Sequence, residues 1–408
     1  MIIYLKERDK MENLTNRKKS NSLLNTYNRV PVSFVEGKGV WLIDKKGERY
    51  LDIASGIAVN SLGHAHPRLI KALNNQAMKL WHTSNLYNIP NQEKLAKLLV
   101  DQTFADKVFF TNSGAESIEC AIKMARRYFF SIGQKTKNQI ITFSGSFHGR
   151  TIGTIAAAGS KKLLEGFGPK ASGFSSEKIG ELETLQKRIT KRTCAILIEP
   201  ILGEGGIIPI DGKLLKELKT LCIKNKILLI FDEVQTGIGR TGYFLAHEKF
   251  RVKPDIVALA KGLGGGFPIG ACLATEEAAK GMTPGTHGST YGGNPLACAV
   301  ATAVVNEILK PELLEGVRQK GNYFKMKLKS LVKKYPHHLE EVRGEGLMLG
   351  LKCLSKNLNL IEECRKEKLL VVAGAENTIR ILPPLNIKIN EINQALNKLE
   401  RAISKLEI

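Results

Sequence analysis

The sequence has no apolar stretch approaching the roughly 18 residues that a membrane span needs. Its first twenty residues, MIIYLKERDKMENLTNRKKS, turn polar after Leu5 and hold no core for a secretory signal. Both absences point to a cytoplasmic protein, with Met11 as an alternative start to Met1. No C-x-x-C pair occurs among the 7 cysteines, at positions 120, 194, 222, 272, 298, 353 and 364, and no H-E-x-x-H among the 8 histidines. Neither a zinc site nor a disulfide frame is therefore expected, and the cysteines read as reduced core residues. His64-Ala65-His66, before Pro67, reads as a turn rather than a ligand set. Acid is scarce as well: 39 Asp+Glu against 61 Lys+Arg leave a net charge of +22. The lysines run along the whole chain, and Phe, Trp and Tyr make up only 6% of it, so no basic groove with interleaved aromatics marks a nucleic-acid partner. A basic surface also attracts dicarboxylates. Internal repeats and low-complexity stretches are absent.

What is present is the material of a deep core. The 408 residues are 43% hydrophobic and 25% charged, enough for two or three globular domains. Five short apolar runs end abruptly in polar or glycine-rich residues: Val108-Phe109-Phe110, Ile140 to Phe143, Ala195 to Ile198, Ile227 to Phe231, and Ile256 to Ala260. Continuous apolar strands separated by helical stretches describe a parallel sheet covered on both faces. In open sheets of this kind ligands lie beyond the carboxyl ends of the strands, which is where these polar groups fall. After Ser113-Gly114, apolar residues at Ile118, Ala121, Ile122, Ala125 and Phe129 follow one helical face. The free amides at the start of that helix suit an anion, and Asn112 or Ser113 caps it. The segment up to about Asn60 reads as strands and turns, and beyond Pro295 the chain changes to charged amphipathic helices. The expected organisation is a large sheet domain over 61–291 and a smaller one assembled from 1–60 and 292–408.

Lys261 carries the most chemistry. It follows the buried run ending at Ala260 and enters Gly262-Leu263-Gly264-Gly265-Gly266, a poor place for a solubilising charge. Desolvation there lowers an amine's pKa and makes it a nucleophile toward an aldehyde. Asp232, at the end of another apolar run, supplies the acid that keeps a pyridinium nitrogen protonated. Together they read as a pyridoxal-phosphate site, although an ordinary strand-loop junction carries the same fragment.

Seven segments in order carry a resemblance: TNSGAES, GSFHGRT, EPILGEGG, FDEVQTGIGRTG, PDIVALAKGLGGGFPIGA, HGSTYGGNPLA and IRILPPL. From about Tyr27 to Leu385 the chain resembles the class III, or ornithine-type, aminotransferases. GIAVNSLGHAHP and HTSNLYNIPNQEKLAKLL are most similar to the acetylornithine branch of that class. The resemblance implies the fold type I, aspartate aminotransferase-like α/β architecture, with a mainly parallel central sheet in the large domain. It implies pyridoxal 5'-phosphate as cofactor and a homodimer with shared active sites. It also implies transfer of the terminal amino group of N-acetylornithine to 2-oxoglutarate, a step of arginine biosynthesis that yields N-acetylglutamate semialdehyde and glutamate. Ornithine, succinylornithine, 4-aminobutyrate and acylated lysines remain alternative donors.

The same resemblance assigns roles. Lys261 holds the aldehyde and shuttles the proton, and Asp232 pairs with the ring nitrogen. Phe147 stacks on the ring with His148 beside it, and Gln235 lies near the ring hydroxyl, following Glu233 and Val234. Ser113, Gly114 and Ala115 hold the phosphate, with Thr290 reaching it from the partner subunit. On the substrate side, Arg150 grips one carboxylate and Arg380 the α-carboxylate of glutamate or 2-oxoglutarate. Glu204 pairs with Arg380 while the longer substrate is bound, and Tyr27 and Ser289 make further contacts. Read without the resemblance, Phe147 is core packing and Glu204–Arg380 a structural ion pair. A nucleic-acid-binding protein that kept the fold without the catalysis is the rival from another class.

Overall fold

The computed structural model describes residues 22–180 and 182–407; Met1 and Met11, the alternative starts, lie outside them. The chain divides into a short unit ending at Phe34 and a large one from Val35 onward. In the short unit Tyr27 is exposed, with the Arg29 guanidinium carbon 5.4 Å from its ring centre.

In the large unit all five apolar runs become strands of one seven-stranded sheet. Its spatial order is Lys107–Thr111, Gly270–Ala274, Ile256–Leu259, Leu228–Asp232, Thr193–Ile198, Gln139–Phe143, Phe174–Glu177. Neighbours run parallel except around Gly270–Ala274, which is antiparallel to both of its partners. That strand and Phe174–Glu177 are the two the sequence reading leaves out. One reads Gly-Ala-Cys-Leu-Ala, mostly small residues, and the other Phe-Ser-Ser-Glu, mostly polar ones.

Strand side chains alternate between faces, and here both faces are covered. Leu228 and Ile230 pack with Ile118 and Ala121 of helix Gly114–Ser131. Leu229 and Phe231 pack on the opposite side with Leu215, Leu218 and Leu221 of helix Gly212–Asn225. Each such side chain withdrawn from water stabilises the fold by about 1.5–3 kcal/mol, which is why the run is apolar without interruption. The helix expected after Ser113 runs over Gly114–Ser131, and Ser113 rather than Asn112 is its N-cap, accepting from Glu116 N at 3.2 Å.

A second, antiparallel sheet orders Leu339–Glu345, Met348–Cys353, Thr378–Ile381 and Val372–Gly374. Arg380 sits on its third strand, opposite Gly350 and Val372. Near the amino end, Trp41–Asp44 pairs antiparallel with Arg49–Asp52, and Leu369 joins in parallel beside Leu51, so distant parts of the chain share one sheet. All seven cysteines are buried and unpaired. Among the described residues no group of three or more His, Cys, Asp or Glu is arranged for a metal, and no helix is long and apolar enough to cross a membrane.

Candidate active site

A cavity of about 420 Å³ opens at the carboxyl ends of the parallel strands. Each of those strands except the edge strand Phe174–Glu177 ends at its wall. Asn112 to Ala115 follow Lys107–Thr111, Phe147 to Arg150 follow Gln139–Phe143, and Glu199 follows Thr193–Ile198. Asp232 ends Leu228–Asp232, and Lys261 comes just after Ile256–Leu259. Convergence of polar groups from five strand ends is a consequence of the sheet's direction, since only this edge presents them all to one space.

Lys261 has a backbone φ of 42°, in the left-handed region that a side chain disfavours by roughly 1–2 kcal/mol. The turn is pinned on both sides. Ser117 Oγ donates to Leu259 O at 2.9 Å and Ser61 Oγ to Gly262 O at 3.0 Å. Burial lowers the amine's pKa from its ordinary value, against the pull of Asp232, Glu204 and Glu199, and Arg380 adds to the lowering. An amine that gives up its proton more readily is present in larger fraction as the free amine, the only form that can act as nucleophile or general base.

Asp232 is buried and accepts twice, from Val234 N on Oδ1 at 3.0 Å and from His148 Nδ1 on Oδ2 at 2.8 Å. Burial disfavours the imidazolium of His148, but the hydrogen bond to Asp232 and its charge, with Glu199 beyond, outweigh burial and raise the His148 pKa. The other ring nitrogen, Nε2, is buried without a partner, as is Gln235 Oε1. Buried polar atoms are rarely left so, and two of them in one cavity wall mark a place for a polar ligand.

The helix start at Gly114 gives the cavity an end suited to an anion. Its first amides have no partner within the helix, and the dipole's positive end adds to them. Only glycine fits there: a Cβ on Gly114 falls 2.7 Å from Val234 Cγ1. On the substrate side, Arg150 is exposed at the cavity mouth with its guanidinium carbon 5.5 Å from the centre of the half-buried Phe147 ring. Arg380 is buried. Its Nη1 donates to Glu204 Oε1 at 2.6 Å and its Nε to Ala373 O at 3.0 Å.

Four residues singled out from the sequence stand elsewhere. Glu233 faces away from the cavity, where its carboxylate accepts from Ala246 N, His247 N, His247 Nδ1 and Thr236 Oγ1. Ser289 and Thr290 line a second cavity of about 830 Å³, with His82, Leu86, Phe109 and His287. Tyr27 belongs to the short unit. Conversely, Glu199, Val59 and Phe267 line the first cavity and were not singled out, and Asn112, named only as a candidate helix cap, lines it too. Glu199 had a signal, the acid directly after an apolar run. Val59 had none: it follows four successive residues of positive φ, Ser55 to Ala58, in a turn held by Asp52 Oδ1 accepting from Ala54 N and Ser55 N.

Residues 24–403 match the family described as aminotransferase class-III. The chain belongs to the class-III aminotransferase family. This class-III aminotransferase uses pyridoxal phosphate, and its cavity suits that group: a buried acid for the ring nitrogen, unpaired buried polar atoms beside it, free amides for a phosphate, and an amine to meet an aldehyde. It is 56% identical over 384 residues to the acetylornithine aminotransferase of Agrobacterium fabrum, covering 94% of this chain and 96% of the relative. The solved N-acetylornithine aminotransferase of Stenotrophomonas maltophilia is 36% identical with a TM-score of 0.81, over 93% of this chain and 98% of that one. The ornithine aminotransferase of Toxoplasma gondii, solved with PLP partially occupying its active site, is 30% identical with a TM-score of 0.89, over 96% and 93% of the two chains.

Proposed function

We propose that this aminotransferase moves the terminal amino group of N-acetylornithine to 2-oxoglutarate, giving N-acetylglutamate semialdehyde and glutamate, the transfer step of arginine biosynthesis. The observation that carries the reading is the joining, in and behind one wall of the cavity, of the Lys261 amine, the His148–Asp232 pair and the Glu204–Arg380 pair. The name of the Agrobacterium relative supports the choice of donor.

Bound pyridoxal phosphate supplies an aldehyde and a ring that accepts the electron pair left when a substrate carbon loses its proton. Asp232 would hold the ring nitrogen and keep its proton in place, with His148 orienting the carboxylate. Lys261 Nζ takes the proton from the substrate carbon and returns it, a task suited to an amine whose pKa burial has lowered. The amides of Gly114 and Ala115, with Ser113, would hold the phosphate, and Phe147 and Gln235 would hold the ring, all of them lining the same cavity. Arg150 takes a substrate carboxylate at the mouth in the bidentate geometry that Lys cannot offer. Glu204 neutralises Arg380 while the longer donor is bound and yields it to the α-carboxylate of the acceptor.

The working unit in this reading is a cytoplasmic homodimer in which Thr290 reaches the partner's phosphate, with Ser289 and Tyr27 on the substrate side. Exposed Trp81, Leu86, Tyr87 and Tyr291 support an interface between copies. The division into 61–291 and a smaller domain from 1–60 and 292–408 belongs to the same proposal. Steady-state kcat/KM compared across N-acetylornithine, succinylornithine, ornithine and 4-aminobutyrate, with 2-oxoglutarate as acceptor, is expected to favour the acetylated donor over free ornithine by about tenfold or more. Preference for free ornithine, or sedimentation as a monomer, sinks the corresponding part.

A further inference from the structure

We infer that Glu199 is a positioning residue for amino transfer, whose carboxylate straps together two walls of the cavity, one carrying Phe147 and the other Glu204. The inference rests on the roles proposed above for those two residues. Glu199 is 5% exposed and lies between the end of Thr193–Ile198 and Pro200. Its two oxygens serve different segments: Oε1 accepts from Phe147 N at 2.8 Å, and Oε2 accepts from Gly203 N at 3.0 Å. Phe147 follows strand Gln139–Phe143, whereas Gly203 follows the short strand Ile201–Leu202 and immediately precedes Glu204.

The placement is costly by itself. A carboxylate out of water carries a penalty of several kcal/mol unless something compensates it, and here Asp232 adds like charge. Burial and Asp232 push the Glu199 carboxyl up to about 7, while His148 and the two amides pull it down. A position needing only to fill space would take an apolar side chain or an amide. What a carboxylate alone offers is two acceptor oxygens on one rigid plane, so one side chain can hold two backbone amides that face it from different segments. A glutamine keeps one acceptor and turns an NH2 against the other N–H.

The far end of the strap lies beside a cofactor-side residue: a Cβ at Gly203 would fall 2.3 Å from Gln235 Oε1, so the bare glycine leaves room for the Gln235 side chain there. Next in the chain, Glu204 engages Arg380 through its side chain and Ala375 N through its carbonyl oxygen. Loosening Glu199 therefore moves the ring-side wall and the carboxylate pair relative to one another, since both of its oxygens are taken up by the two amides.

The test is the E199Q holoenzyme, compared with wild type by amide hydrogen exchange, by circular dichroism of the bound cofactor's visible band, and by kcat and KM for each substrate. Expected is retained cofactor stoichiometry, a weakened visible dichroism, kcat lowered roughly tenfold with an altered KM for 2-oxoglutarate, and faster exchange at Phe147 or Gly203 by about the same factor. An E199Q enzyme with unchanged kcat, KM and dichroism overturns the inference. So does wild-type protein in which either amide exchanges at the unprotected rate, a measurement that decides the matter even if the variant does not fold. Failure of the functional proposal looks different: wild type then does not transaminate N-acetylornithine, while both amides stay protected.

Discussion

Asp232 and Glu233 are adjacent, both buried, and each meets a histidine Nδ1, at 2.8 Å and 2.7 Å, yet they serve two regions of opposite character. Behind the sheet end, Glu233 accepts four hydrogen bonds and ties the segment at Ala246 and His247 to the strand. At the cavity, Asp232 accepts two, and the far nitrogen of its histidine has no partner. A saturated carboxylate is a finished joint. An undersaturated one, backed by an orphaned ring nitrogen and open to a cavity, is a joint awaiting a ligand. Burial and partner type alone do not separate the two; the count of lone pairs left over does.

The sharpest way to break this comparison is a pair of amide substitutions. D232N is expected to lower kcat by about 10³ with little change in unfolding free energy, because the charge proposed to hold the ring nitrogen is gone. E233Q is expected to cost about 2–4 kcal/mol of stability, read by denaturant unfolding, and to leave the folded enzyme's kcat within about threefold. Interchanged outcomes would overturn the distinction.

A smaller effect separates the two arginines. R380A is expected to slow the half-reaction with 2-oxoglutarate by about 10² while the half-reaction with N-acetylornithine changes far less, as single-turnover kinetics on each half will read. Equal losses on both halves from R150A and R380A would make the buried and exposed guanidinium groups equivalent and remove the switch.

The smallest effect lies in pH. A carboxyl that binds its proton more tightly folded than unfolded stabilises the fold fully below its unfolded value, and loses that contribution as pH rises through its folded value, here about 7. His148, raised by Asp232 despite its burial, acts in the same direction. Between pH 5 and 8 the melting temperature of wild type is expected to fall further than that of E199Q, by about 1–3 °C. Parallel curves would show that residue 199 does not titrate in this range.

Much of this was legible in the sequence. Apolar runs such as Ile256 to Ala260 needed no tertiary information, because strands buried on both faces are short, continuously apolar and stop abruptly at polar residues. Lys261 was legible for the same reason, a charge where burial is already implied. Gly270–Ala274 was not: squeezed between two strands and under helix Gly114–Ser131, it is made of small residues, and small residues carry weak periodicity. Glu233 was hidden differently. Its partners Ala246 and His247 lie beyond an irregular stretch, and nothing in FDEV tells which of two acids turns inward. The fate of Ser289 and Thr290, in the second cavity, depends on surfaces that a single chain's sequence does not align with the first.

The contact between Gly114 and Val234 acts as a gauge. A Cβ on Gly114 would fall 2.7 Å from Val234 Cγ1, so the helix start lies close beside the residue two places past Asp232 only because position 114 is bare. In the function proposed above, length selection would thus begin in the backbone: a molecule whose phosphate and ring nitrogen are differently spaced would not satisfy both ends at once.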